Sequence, residues 1–239
     1  GTVTMRAIVE RPSPNFNERG GAPVDILLLH YTGMPSAAGA LKRLCDPEAK
    51  VSSHYTIDED GTVYRHVAEE QRAWHAGISY WAGERDINAR SVGIELVNPG
   101  HEFGYRDFPE AQIAALIEIA HGILARHPIP ARRVLGHSDV APKRKIDPGE
   151  RFPWARLAAA GIGAWPKHPR LDISRAIQVP EVQRDLAAIG YECPATGVLD
   201  EDTRFAVAAF QRHFRPALVS GIPDGETLAL AALLLRDRD

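Results

Sequence analysis

A mixed α/β domain with a central sheet covered by helices, followed by a small C-terminal three-helix domain, is the fold class this sequence predicts. Three observations carry it. The apolar run Ile26-Leu27-Leu28-Leu29 reads as a buried strand. Ser91 to Val97 alternates Val92, Ile94 and Leu96 with Gly93, Glu95 and Val97, so Glu95 points away from the Ile94 side. Ile113, Leu116, Ile117, Ala120 and Leu124 recur at helical spacing. Strands and helices alternate irregularly up to Trp165, which favours a mixed sheet over a strictly parallel winding.

Residues 1–23 are polar and rich in Pro, Asn and Arg, and are expected to form an N-terminal arm, with the core starting at Val24. A strand ending at His30 leads to a small helix around Ser36 to Leu44. Ser53 to Ile57 and Thr62 to His66, separated by Asp58-Glu-Asp-Gly61, read as a β-hairpin. The helix after Pro109 ends at His127-Pro128, and Val134-Leu135-Gly136 is a short strand that delivers His137 into a loop-like stretch. Gly161 to Arg170 carries two glycines and two prolines and reads as a linker, closing a first domain over residues 24–165. Within residues 166–239, three helical patterns follow: Val182, Leu186 and Ile189; then Val207, Phe210 and Phe214 after Asp200-Glu-Asp-Thr203; then Thr227 to Leu235 after Asp224-Gly225. A unit of about 65 residues is marginal but feasible alone. Phe205, Phe210 and Phe214 are expected to fill its core rather than stack on a ligand.

The composition excludes several classes. With 44% apolar and 25% charged residues in 239, the chain is that of a globular protein, not a disordered one. Its 28 basic and 31 acidic residues offer no electrostatic footprint for nucleic acid. Cys45 and Cys193 lie far apart, with no CxxC pair, and are expected to be free thiols. The longest apolar run, Leu228 to Leu235, is well short of the roughly 20 residues a transmembrane helix needs.

Chemistry is suggested by His30, which ends the first apolar run, and by His137 and Asp147, which stand ten positions apart in a stretch broken by Pro142 and Pro148. Two histidines and one carboxylate form a three-ligand set for zinc that leaves a fourth position open, the arrangement of catalytic sites. Amide hydrolysis also needs a base and a cation to steady the oxyanion; Glu95 and Lys145 fill those roles by residue type. Taken singly, each has a plainer reading: a solvated strand glutamate, one lysine of a charged loop, histidines that satisfy hydrogen bonds.

Taken together and in order, the blocks Val-Asp-Ile-Leu-Leu-Leu-His30-Tyr-Thr, Ser-His54-Tyr-Thr-Ile, Trp74-His-Ala-Gly77, Asn88-Ala-Arg-Ser-Val-Gly-Ile-Glu95-Leu and Gly136-His137 through Lys145-Ile-Asp147-Pro-Gly149 resemble the zinc N-acetylmuramoyl-L-alanine amidases of the AmpD/AmiD type. The resemblance covers Val24 to Trp165. It implies the fold shared with T7-type lysozymes and peptidoglycan-recognition proteins. It implies His30, His137 and Asp147 as zinc ligands, Glu95 as base and Lys145 as oxyanion stabiliser. The reaction implied is cleavage of the amide between N-acetylmuramic acid and L-alanine of peptidoglycan or (anhydro)muropeptides, in cell-wall turnover and recycling. Tyr31, Trp74, His75, Asn88 and Arg144 fall in blocks that line the substrate cleft of that family, while His54 is read as support for the hairpin. Ser53 stands where T7-type lysozymes carry a functional tyrosine, and Asp147 where they carry a cysteine ligand, which places this chain in the glutamate-using branch. His66, His101, His121, His127, His168 and His213 fit no ligand spacing and are assigned surface or satisfied-core roles.

Gly197-Val-Leu-Asp200, Ala206 to Gln211 and Ile222-Pro-Asp-Gly225 are similar to the three-helix peptidoglycan-binding domain. That resemblance implies a wall-binding module that raises local substrate concentration, with simple packing on the first domain as the alternative. On this reading, truncation near Trp165 preserves hydrolysis of soluble muropeptides and weakens sedimentation with sacculi. A recognition protein that binds muropeptides without cutting is the rival from another class; a full ligand set with Glu95 and Lys145 argues for an enzyme. The two-domain arrangement points to the periplasm or cell envelope, whereas a native start at Met5 without a signal peptide would point to the cytoplasm. Oligomeric state is not legible in the sequence.

Overall fold

The computed structural model describes residues 6–166, 173–174 and 176–237. In chain order the elements are β1 (Ile8–Glu10), β2 (Phe16–Glu18), β3 (Ile26–Tyr31), α1 (Ala37–Leu44), β4 (Tyr55–Ile57), β5 (Val63–Arg65), β6 (Gln71–Ala73), α2 (Ile87–Arg90), β7 (Ser91–Leu96), α3 (Gly100–Phe103), α4 (Glu110–Arg126), β8 (Val134–Gly136), α5 (His137–Val140), α6 (Trp154–Ala159), α7 (Val179–Ile189), α8 (Glu201–Phe214) and α9 (Gly225–Arg236). Six strands form one sheet in the order β1-β5-β4-β7-β3-β8. The β4–β5 hairpin is antiparallel and every other neighbouring pair in that sheet is parallel, so the sheet is mixed.

Both faces of the central strands are covered, which is why β3 is a continuous apolar run. Leu27 and Leu29 join Val92, Ile94 and Leu96 against Ile113, Leu116, Ala120 and Ile123 of α4. On the opposite face Ile26, Leu28 and Leu135 pack with Leu186, Tyr191, Val207 and Phe210 of the C-terminal helices. The C-terminal unit thus supplies the cover for one end of that face. Truncation near Trp165 would remove part of the cover over Ile26, Leu28 and Leu135, so a lower Tm is expected to accompany it. Two buried glutamines build the C-terminal unit by the same device. Gln183 bonds Thr203, next to the Asp200 cap of α8; Gln211 bonds Thr227, next to the Asp224 cap of α9.

Four readings of the sequence need correction. The described part of the polar N-terminal arm, residues 6–23, holds two edge strands, and residues 1–5 lie outside the described residues. Ile8 to Glu10 pair in parallel with β5, and β2 pairs with β6 in a separate two-stranded sheet. Their side chains are largely exposed, so backbone pairing orders them and no apolar pattern announces it. His137 opens a one-turn helix instead of lying in a loop. The expected linker is packed in its first half, where Ile162 is fully buried and Trp165 touches both cores; residues 167–170 lie outside the described residues. Phe210 and Phe214 are core, but Phe205 is exposed. Cys45 and Cys193 are free, and no helix among the described residues is long and apolar enough to cross a membrane.

His54 is completely buried and joins the hairpin to β7. Its Nδ1 accepts from Gly93 N–H at 3.0 Å and its Nε2–H donates to Gln71 O at 2.8 Å. Burial pushes its pKa down to about 4, with the neighbouring Arg19 guanidinium adding to the effect. Between pH 6.5 and 4 the unfolded chain therefore takes up a proton that the folded chain refuses, and stability falls as pH falls. Full stability holds above 6.5, and the loss approaches about 3 kcal/mol near pH 4. Urea unfolding across that window should show a shallower slope for His54→Gln than for the unmodified protein; equal slopes would contradict this account.

Candidate metal centre

The register brings the site together. His30 lies opposite Glu95 in the parallel β3–β7 pair, and Leu29 lies opposite Gly136 in β3–β8, so His30, Glu95 and His137 emerge at the C-terminal ends of three adjacent strands. That is where parallel sheets place their ligands. Asp147 arrives from the loop after α5, which is tied back to that helix by Ser138 N–H donating to Asp147 O. Gly136 allows this approach, since a Cβ there would meet Pro148 Cδ at 2.8 Å.

His30 Nδ1, His137 Nδ1 and Asp147 Oδ2 form a buried triangle with sides of 2.9, 3.3 and 3.4 Å. The outer hydrogen bonds decide what that triangle is. Nε2 of His137 lies 2.9 Å from Ala76 O, which can only accept, so the ring proton sits there and Nδ1 carries a lone pair. Ser91 Oγ–H donates to Ile87 O, so it accepts from His75 Nε2–H; His75 Nδ1 then accepts from His30 Nε2–H. His30 Nδ1 is likewise left with a lone pair. Two imidazole lone pairs and a carboxylate oxygen face one point with no proton between them, an arrangement that a divalent cation reconciles.

The electrostatics agree. Burial lowers the pKa of His30 to about 4, and the adjacent His137 ring adds to this, so His30 is neutral. Burial alone would raise Asp147, but the two imidazoles beside it, His137 above all, hold its carboxyl well below the ordinary carboxylate range, so it is ionised. Glu95 goes the other way: burial, reinforced by the Asp147 charge, pushes its carboxyl well above the usual value, with Lys145 opposing. Glu95 Oε1 stands 4.0 Å from His30 Nδ1, beside the ligand triangle and not in it, and its buried Oε2 has no hydrogen-bond partner among the described residues.

These groups open into a cleft of about 490 Å³ also lined by Tyr31, Trp74, Arg144 and Lys145. Lys145 is exposed there; Arg144 is held by Ala76 O and Ile78 O, and Trp74 Nε1–H donates to Asn17 Oδ1. Two residues expected to meet substrate are engaged within the protein. His75 borders the cleft, but both ring nitrogens are engaged by His30 and Ser91, so it orients the His30 ring. Asn88 does not line the cleft; its Oδ1 accepts from His75 N–H and Ala76 N–H and fixes the turn that carries both supporting groups. Gly93 leaves room for the His75 ring, because a Cβ there would lie 2.5 Å from it. His75→Phe should weaken metal affinity by about 10–100-fold, read by competition with a chromogenic chelator; unchanged affinity would remove His75 from this role.

His101 escaped the sequence reading because it shares no spacing with His30, His137 and Asp147. It forms part of the cleft wall, where Tyr31 O–H donates to its Nδ1 at 3.0 Å and its Nε2–H donates to Glu150 at 3.0 Å.

The mixed sheet and the residues at its C-terminal edge together define a hydrolase of the mixed α/β amidase class. The chain belongs to the N-acetylmuramoyl-L-alanine amidase family, whose pattern matches residues 20–150; a peptidoglycan binding domain matches residues 175–230. It is 36% identical to the N-acetylmuramoyl-L-alanine amidase AmiD of Escherichia coli strain K12, over 98% of this chain and 92% of that one. The structure of AmiD in complex with the substrate anhydro-N-acetylmuramic acid-L-Ala-D-gamma-Glu-L-Lys superposes with a TM-score of 0.82 at 37% identity, covering 92% of this chain and 93% of AmiD. AmpDH3 from Pseudomonas aeruginosa superposes with a TM-score of 0.83 at 34% identity, covering 98% of each chain.

Proposed function

We propose that this chain is a zinc-dependent amidase that cleaves the bond between the lactyl group of N-acetylmuramic acid and L-alanine in muropeptides, acting in the cell envelope. The observation that carries the reading is the convergence of two histidine lone pairs and a carboxylate beside an unpartnered glutamate in an open cleft. The relative whose structure holds an anhydromuramyl peptide as substrate supports the choice of substrate class.

His30, His137 and Asp147 would hold the zinc, which when bound polarises the scissile carbonyl and lowers the pKa of water. Glu95 takes the proton as water attacks the carbonyl carbon. Its raised pKa suits it to keep that proton and pass it to the departing nitrogen of L-alanine as the C–N bond breaks. Lys145, exposed in the cleft, supplies positive charge to the oxyanion as it forms. Tyr31, Trp74 and Arg144 form walls for the sugar and stem peptide.

Mass spectrometry of an anhydromuropeptide incubated with the protein, with and without chelator, tests bond and metal together. Release of an intact stem peptide beginning at L-alanine, abolished by chelation and restored by zinc, is expected. An uncut muropeptide retained by the zinc-loaded protein would replace this reading with recognition without cleavage.

A further inference from the structure

The turn that carries His137 is held from the C-terminal unit. Asp139 lies on α5, two residues after His137, and is buried at the seam between the two units. Its Oδ2 accepts from Gly136 N–H at 2.8 Å and from His213 Nδ1–H at 2.8 Å, and its Oδ1 accepts from Tyr191 O–H at 2.6 Å. Gly136 is the residue immediately before the ligand. Tyr191 follows α7 and His213 lies on α8, so both outside donors come from the C-terminal unit.

Those donors are themselves fixed. Tyr191 meets Trp81 edge-on at 4.9 Å, and His213 stacks on Trp154 at 3.8 Å and on Phe214 at 3.9 Å. The loop ahead of α2 is stitched to both sides, through Tyr80 N–H to Val140 O and Ala82 N–H to Gly190 O.

Docking alone does not explain the arrangement. Leu186, Val207 and Phe210 already pack on Ile26, Leu28 and Leu135, and a carboxylate within such a seam carries a desolvation cost that apolar side chains would avoid. A single helical turn is also too short to hold its own geometry. What α5 needs is an external anchor beside the ligand, and Asp139 is placed to be one.

We propose that Asp139, Tyr191 and His213 are positioning residues for the metal centre, forming a cross-domain clamp that keeps His137 Nδ1 in the ligand triangle. The C-terminal unit is then part of the site's framework and not a detachable module. This rests on His30, His137 and Asp147 being the metal ligands.

The test uses the full chain loaded with cobalt(II), whose visible spectrum reports ligand geometry. Tyr191→Phe removes one hydroxyl and keeps the ring. His213→Leu removes the second donor, and His213→Asn restores a donor near the position of Nδ1. Leu186→Ala weakens the same seam without touching the clamp. Faster cobalt release to a chelator by about 10–100-fold, an altered spectrum and a fall in kcat at steady KM are expected for Tyr191→Phe and His213→Leu. His213→Asn should recover toward the unmodified protein, and Leu186→Ala should match it in spectrum and release despite a lower Tm. Unmodified spectra and release rates in both donor-deleted variants would overturn the clamp, as would equal changes in Leu186→Ala. An unmodified protein that takes up no cobalt would overturn the ligand assignment itself, and the clamp with it.

Discussion

Glu95→Gln is expected to keep one metal per chain while losing about 10²–10⁴-fold in kcat. Its Oε1 stands 4.0 Å from His30 Nδ1, outside the three-atom ligand set, so the substitution leaves the triangle intact. What is lost is a base whose carboxyl is raised by burial and by Asp147, with one oxygen free of any partner among the described residues. The same raised pKa makes a second result follow. A carboxyl whose folded pKa exceeds its unfolded value destabilises the fold as pH rises above the unfolded pKa, so the neutral glutamine should leave Tm at pH 7 in chelator unchanged or higher. Metal analysis, steady-state kinetics and calorimetry on one preparation check all three. Loss of metal from Glu95→Gln would make Glu95 a ligand and leave the site without its base.

Asp147→Ala is expected to bind no metal at the site and to show no turnover. Asp147 is the only anion of the triangle, at 3.3 Å from His30 Nδ1 and 3.4 Å from His137 Nδ1, and two neutral imidazoles alone are a weak site. Zinc bound only to the folded state at a hundred times its Kd stabilises by about 3 kcal/mol. The unmodified protein should therefore lose Tm when chelated, whereas Asp147→Ala should show the same Tm with zinc or with chelator. A zinc-dependent Tm in Asp147→Ala would place the metal elsewhere.

Much of this site was legible in the order of residues. His30, Glu95 and His137 each follow or sit within an apolar strand pattern, and the pleat alone assigns Glu95 to the face opposite Ile94. The helix patterns of α4, α7, α8 and α9 were equally plain, because each buries one apolar stripe. The edge strands β1 and β2 were not, since they are ordered by backbone pairing that leaves no trace in side-chain chemistry. Nor could the sequence separate His75 from a substrate contact. A histidine next to a cleft tryptophan reads the same whether its nitrogens face solvent or a neighbouring imidazole.

The sequence by itself determined the strand ends that carry His30, Glu95 and His137, a set of residue types suited to metal, base and oxyanion roles, and a second unit of three helices. All of these follow from local periodicity and residue chemistry. Only the tertiary structure decided which nitrogen of each histidine faces Asp147, because that depends on Ala76, Ser91 and Ile87, partners brought in from distant parts of the chain. It also decided that the C-terminal unit shares a core with the catalytic sheet and reaches Asp139 beside a ligand. Side chains from sequence-distant segments meet only when the chain is folded, and hydrogen-bond direction is fixed by those meetings.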